Sequence, residues 1–232
     1  MVEFWPAPES ALGSAVIFKI KMKNFWDKLS KPFFVLAPMY DVTDSAFRQM
    51  FVRHSKGSAK YPLVLFTEFV SADGLASSEG RAKLLRELYF TKEERPIVAQ
   101  IFGSKPETIK EAVKIIKELG FDGVDINMGC PDRAVEKQGA GSALMKNPKL
   151  AQEIILSAKR VAGDMPVSVK TRIGYNKIDL SWIESVLSAK PAVLTVHLRT
   201  RKEMSKAEAH YEIIPDLVKL ANGANIPLIV NG

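Results

Sequence analysis

Short, unbroken apolar runs of strand length recur along this chain, and nearly every one is followed by a segment with helical spacing. The runs at 33–37 (FFVLA), 63–67, 97–101, 123–126, 166–170, 192–196 and 227–230 lack strict alternation of apolar and polar residues. That is the pattern of strands covered on both faces. Thr43 or Asp44 can cap a helix over 45–54, and another helix is expected near 79–89. Ser104 and Glu107 have capping-box spacing ahead of an apolar face of Ile109, Ala112, Val113 and Ile116, with Gly120 as the stop. Asn147 and Pro148 open a helix whose Ala151, Ile154, Ile155 and Ala158 face inward, and two more helices fall near 180–189 and 211–221. Strands recurring about every 30 residues, with helices between, predict stacked right-handed βαβ units and a parallel sheet.

The seven runs predict an α/β fold of the (β/α)8 TIM-barrel type, incomplete because an eighth strand and its helices are needed for closure. An intact open seven-stranded sheet is the competing arrangement. In either case the first and last strands would each present an unpaired edge. Residues 1–32 are less regular and are read as an N-terminal extension. Within it, residues 16–22 (VIFKIKM) alternate like a short half-exposed strand. Residues 33–232 are read as the barrel, lacking its last βα unit.

Composition narrows the functional classes. With 33 basic and 26 acidic residues the net charge is +7 and the pI about 9.4, which suits a polyanionic partner without requiring one. A single cysteine cannot form an intramolecular disulfide, and no apolar run approaches the roughly 20 residues needed to span a bilayer. The expectation is a cytoplasmic protein without a membrane segment. Three scattered histidines, His54, His197 and His210, argue against a metal site, and neither a P-loop nor a dinucleotide G-x-G-x-x-G is present.

The candidate chemistry lies at strand ends. Cys130 sits between Gly129 and Pro131, just past a predicted strand, where parallel α/β folds place functional groups. If the strand ends converge, Pro38, Met39, Gln100, Asn127, Cys130, Lys170, His197, Arg199 and Asn231 meet at one mouth. Such polar groups among small residues suit a flat, polar, anionic cofactor better than a metal.

Seven motifs in order, APMYDVTD (37–44), VAQIFG (98–103), DINMGCP (125–131), GAGSALM (139–145), VKTRIG (169–174), VHLRTR (196–201) and VNG (230–232), resemble the tRNA-dihydrouridine synthases. The resemblance implies FMN as cofactor, NADPH or NADH as reductant and tRNA as substrate, the reaction being reduction of uridine to 5,6-dihydrouridine. It places Pro38, Met39, Tyr40, Gln100 and Lys170 on the flavin, with the Lys170 charge at its N1/O2 edge. His197, Asn231 and Gly232 would serve its phosphate, and Arg199 the phosphate or the RNA backbone. Cys130 would be the general acid that protonates C5 as hydride reaches C6, and Asn127 would orient the uracil. Arg133, Lys137, Arg172, Lys177, Arg201, Lys202 and Lys206 would hold RNA phosphates. No metal and no obligate protein partner is implied.

The chain departs from the family pattern at Leu198, where glycine is usual, and stops within the expected Asn-Gly-Asp loop. The family would continue with a further phosphate-binding βα loop and a helical domain, so the chain is read as truncated at its C-terminus. Two other readings stay open: another FMN barrel oxidoreductase acting on a small substrate, such as a dihydroorotate dehydrogenase-like enzyme, and a catalytically inactive RNA-binding fragment.

Overall fold

The computed structural model describes residues 24–55 and 60–232. The expected strand at 16–22 lies outside them. Seven strands form one parallel sheet in chain order: β1 (Phe34–Leu36), β2 (Leu63–Ser71), β3 (Ile97–Phe102), β4 (Gly123–Met128), β5 (Val167–Arg172), β6 (Leu194–His197) and β7 (Leu228–Asn231). The helices are α1 (Phe25–Lys28), α2 (Ser45–Ser55), α3 (Ala72–Ala76), α4 (Ser78–Glu87), α5 (Pro106–Glu118), α6 (Arg133–Lys137), α7 (Pro148–Ala162), α8 (Leu180–Ser188) and α9 (Ile214–Ala224). From α3 and α5 through α7 and α8 to α9, successive helices pack side by side around the outside of the sheet.

Period-2 geometry sends alternate residues of each strand to opposite faces. Ala99, Ile101, Val124, Ile126, Val167, Val169, Leu194 and Val196 face the helices and build the main core. Val64, Phe66, Val98 and Val193 face the other way and pack with Trp26 of α1, with Val35 and Ile229 against them. This second cluster joins side chains of β1, β2 and β3 to those of β6 and β7, so the sheet curls until its two edges approach. The fold is therefore a (β/α)8-type barrel with seven strands and an open seam between β1 and β7. Apolar side chains plug its lower half.

Two local expectations need correction. Ser104 does not cap α5: Lys105 holds the cap position without a side-chain bond, and Pro106 starts the helix with its φ already set. The Ser104 hydroxyl is thereby left one residue early, and it donates to the Gln138 carbonyl instead. The second strand is longer than its apolar run, because an irregularity between Phe66 and Phe69 lets it continue to Ser71. Asn147 does cap α7, accepting from the Leu150 amide, and the Asp44 side chain accepts from the Phe47 amide at the start of α2.

A buried ion pair fixes the loop between β1 and α2. Arg48 donates to Glu94 at 2.6 Å and to the carbonyls of Thr43 (2.8 Å) and Tyr89 (2.7 Å), with both charged side chains fully buried. Removing one partner strands the other charge in the interior. Glu94→Ala is expected to lower the unfolding free energy by about 3–5 kcal/mol in urea denaturation. The double variant Arg48→Met/Glu94→Leu should lose less, since no charge is left behind. Equal losses in the two variants would contradict this assignment.

Candidate active site

Above the apolar plug the interior turns polar. Gln100, Asp125 and Ser168 stand in register across β3, β4 and β5, and Asn127 and Lys170 are paired one step higher. Buried polar groups at this depth must satisfy one another, and all of these but Lys170 do. The Asp125 carboxylate, fully buried, accepts from Ser168 Oγ at 2.6 Å and from Gln100 Nε2 at 2.7 Å. Gln100 Oε1 accepts from Asn127 Nδ2 at 3.0 Å, and Asn127 Oδ1 accepts the backbone N–H groups of Gly129 (3.0 Å) and Cys130 (2.9 Å). Burial raises the Asp125 pKa to about 6, against the pull of Ser168, Gln100 and the nearby Lys170 charge.

The turn that carries Cys130 is shaped by close backbone approaches. Gly141 has φ +59°, and a Cβ there would stand 2.8 Å from both the Cys130 carbonyl and Val135 Cγ1. Arg172 Nε donates to the Gly129 carbonyl at 2.9 Å, and the Ser142 amide donates to the Cys130 carbonyl at 3.0 Å. The thiol is half-buried beside Phe102, Val135 and Ala140. Burial pushes its pKa upward despite the neighbouring Arg172 and Lys170 charges, so Sγ carries its proton at neutral pH.

Lys170 joins two parts of the mouth. It is paired in register with Asn127, and it also lines a cavity of about 670 Å³ at the seam, together with Ala37, Pro38, Thr195 and Asn231. It makes no hydrogen bond or ion pair with a described residue. Burial lowers its pKa to about 8, with Asp125 opposing. His197 and Asn231 are adjacent in register on β6 and β7, and His197 Nδ1 and Asn231 Oδ1 are both buried without a partner. Burial first, then the charges of Arg172, Lys170 and Arg199, pull the His197 pKa to about 3. His197 is therefore a neutral hydrogen-bonding group and not a cation. An unpaired ammonium, two orphaned polar atoms and an open cavity beside them suit a planar anionic ligand.

Other expected residues lie elsewhere or are already engaged. Met39 and Tyr40 are exposed on the loop after β1 and do not line the cavity. The Tyr40 ring stacks on Phe69 at 5.4 Å, and Phe69 meets Phe102 edge-on at 5.5 Å. Arg199 Nε donates to the Ala207 carbonyl at 2.6 Å, and Gly232 packs against Ala209 so closely that a Cβ would stand 2.6 Å from it. Leu198 is fully buried in the main core, where a larger apolar residue replaces the glycine usual in the pattern. Of the basic residues expected to hold RNA, Arg172 is bonded to the carbonyls of Gly129, Thr200 and Met204, and Arg201 to Glu136. Glu136 also accepts from Ser142 (2.9 Å) and Tyr175 (2.8 Å), so Arg201 belongs to an internal clamp. Arg133, Lys137, Lys177, Lys202 and Lys206 are exposed.

Asp125 was not singled out by sequence reasoning. Its signal was present in VDIN, where Asp125 and Asn127 fall on one face of an otherwise apolar strand. Among the described residues no group of three or more His, Cys, Asp or Glu side chains could hold a metal ion, and no helix is long and apolar enough to cross a membrane.

Comparison with known proteins gives concordant results. A family model described as dihydrouridine synthase (Dus) matches residues 35–232. "Probable tRNA-dihydrouridine synthase 2" of Bacillus subtilis (strain 168) is 46% identical over 214 residues, covering 90% of this chain and 64% of that protein. "Probable tRNA-dihydrouridine synthase" of Staphylococcus aureus (strain COL) is 45% identical over 214 residues, covering 90% and 63%. The chain thus spans a little under two thirds of the length of these curated relatives. Among solved structures, morphinone reductase superposes with a TM-score of 0.52 over 86% of this chain and 75% of that one, at 12% identity, a likeness of fold.

The depressed pKa of Lys170 has a stability consequence with a definite sign. Folded, it gives up its proton near pH 8, whereas the ordinary lysine value is 10.5. Between those values the unfolded chain binds more protons, so stability rises with pH, and below pH 8 the ammonium is a standing cost. Lys170→Met should raise the unfolding free energy at pH 7 by about 1–2 kcal/mol, allowing for screening by cavity water. The gain should shrink from about pH 8 upward and be gone above 10.5, the ordinary lysine value. Urea unfolding at several pH values checks this, and a pH-independent gain would count against it.

Proposed function

The chain belongs to the dihydrouridine synthase family, and from that premise we propose that it takes part in reducing uridine to 5,6-dihydrouridine in tRNA, with FMN as cofactor and NADPH or NADH as reductant. The barrel at 33–232 is its catalytic domain on this reading, and the compartment is the cytoplasm, where tRNA is modified. The observation that carries the proposal is the hydrogen-bonded connection from Gln100 through Asn127 to the turn bearing a protonated Cys130, with the unpaired Lys170 beside it.

Bound FMN would supply the hydride that goes to C6 of the uracil ring, having received it from the nicotinamide. The protein contributes placement and charge. Lys170 offers a positive charge to the anionic edge of the flavin, Gln100 keeps a free amide hydrogen and lone pair for its pyrimidine edge, and Pro38 borders the ring. His197, Asn231 and Gly232 supply neutral polar and backbone groups toward its phosphate, whereas Met39 and Tyr40, exposed on the loop and outside the cavity, are left out of the cofactor's surroundings. Asn127 faces the uracil edge, and Arg199 lies toward the RNA backbone.

As hydride adds at C6, the C5=C6 electron pair takes the proton of Cys130 Sγ at C5, and the thiolate is reprotonated from solvent. A thiol with a raised pKa suits a donor that must stay protonated until that moment. The uridine must leave its stack to reach this depth, and the exposed Arg133, Lys137, Lys177, Lys202 and Lys206 provide charge for the phosphates around it.

The test uses the purified chain, FMN, NADPH and unmodified tRNA, with dihydrouridine as product. Cys130→Ala should keep the flavin absorbance and affinity of the wild type while turnover falls by about 100-fold or more. Loss of flavin with normal turnover after reconstitution would overturn the role of Cys130. Binding of tRNA by a colourless chain that cannot take up FMN would favour an RNA-binding role.

A further inference from the structure

We propose that Asp125 is a positioning residue whose carboxylate sets the orientation of Gln100 and Asn127 and, through them, the turn that presents Cys130. The proposal rests on the reading of Cys130 and Gln100 given above.

A carboxylate with no arginine or lysine bonded to it is costly to keep on a buried strand. Asp125 has only Ser168 Oγ and Gln100 Nε2 as hydrogen-bond partners, one on each oxygen. An ionised carboxylate can only accept, so Gln100 must turn Nε2 toward it. That leaves Oε1 facing Asn127, and Oε1 can only accept, so Asn127 must turn Nδ2 toward it. Asn127 Oδ1 then points at the amides of Gly129 and Cys130, which can only donate. Reversing either side-chain amide would set donor against donor or acceptor against acceptor. The charge at one end and the backbone amides at the other thus impose the same direction on a chain of hydrogen bonds running from β4 to β3, back to β4, and ending on the backbone of the residue proposed as the acid.

Replacing Asp125 by Asn keeps the shape and removes the direction. An amide at 125 can accept from Gln100 Nε2 or donate to Gln100 Oε1, so both orientations of Gln100 become available. In the second, Gln100 Nε2 faces Asn127, and Asn127 releases the Cys130 turn. A residue that merely filled space would lose nothing in this exchange.

Because Cys130 is the only cysteine in the chain, thiol alkylation reports on that turn directly. Asp125→Asn is expected to change the rate of iodoacetamide alkylation of the folded protein, and to weaken FMN binding, each by about tenfold, the worth of one charge-assisted hydrogen bond. Ser168→Ala, which leaves the carboxylate bonded to Gln100, should change both by less than about threefold when measured at pH 8, where the loss of the Ser168 bond is offset by the higher pH. The effects of Asp125→Asn and Asn127→Ala on alkylation should not add in the double variant, because both break one chain. A folded Asp125→Asn protein with wild-type alkylation and FMN affinity would overturn the proposal. Should that variant fail to fold, Gln100→Leu cuts the chain one link later, and unchanged alkylation there overturns it equally. Alkylation needs no tRNA: absence of dihydrouridine formation would remove the functional reading and leave this result standing.

Discussion

The interior of a parallel barrel gives a side chain nowhere to go but toward its neighbours, and that constraint governs this protein. Half of every strand's residues point into a space closed by the other strands. In the lower half the space is filled by Trp26, Val64, Phe66, Val98 and Val193. In the upper half the same positions carry Gln100, Asp125, Asn127, Ser168 and Lys170, and leaving such a group unpaired costs about 1–3 kcal/mol. The polar layer is stable because four of its members satisfy one another in a fixed order, above a plug that keeps water from below. Apart from Trp26 Nε1 in the plug, the buried atoms without a partner among the described residues are His197 Nδ1 and Asn231 Oδ1, and they lie with the unbonded Lys170 at one side of the mouth. Polar groups left unsatisfied beside a layer otherwise so complete mark where a ligand's groups belong.

Charge follows the same logic. Lys170, Arg172 and Arg199 make the mouth electropositive, and their fields, added to burial, keep His197 neutral. Two of those cations, Arg172 and Lys170, favour a thiolate at Cys130, yet burial outweighs them. The thiol therefore sits in a positive field and still holds its proton. A nucleophilic cysteine needs the opposite outcome, with a neighbouring base or cation winning over desolvation.

Much of the fold was legible because buried parallel strands are written as apolar runs, and all seven fell where those runs lie. Gln100 and Asn127 stand out as polar residues within such runs, and Cys130 as the lone cysteine in a Gly-Cys-Pro turn just past one. What failed depended on partners distant in sequence. Arg172 and Arg201 look like free surface cations until Gly129 and Glu136, 43 and 65 residues away, are brought beside them. Ser104 has the spacing of a cap, but Pro106 moves the helix start past it. Tyr40 stands two residues after Pro38, which lines the cavity, yet its ring turns outward onto Phe69, whose position depends on the irregularity in β2. Asp125 was passed over because a single acid in a strand reads as a surface residue until both adjacent strands are known.

The same dependence on distant partners holds the cysteine turn and the loop after β1, each by a different set of bonds. Three segments converge on Glu136, from Ser142, Tyr175 and Arg201, while Arg172 ties Gly129 to the loop beyond β6. Gly141 allows the chain to pass against the Cys130 carbonyl at a distance no side chain would tolerate. The proposed proton-donor role requires Sγ to be held within a few tenths of an ångström of its target, and crossed supports from β3, β5 and the β6 loop can do so without help from solvent-exposed side chains. On the other flank, Met39, Tyr40 and Val42 are exposed, and their loop is anchored at its far end through Thr43 and Arg48. Crossed hydrogen bonds are thus concentrated on the Cys130 turn, whereas the loop after β1 carries its side chains outward on a backbone tied down at Thr43.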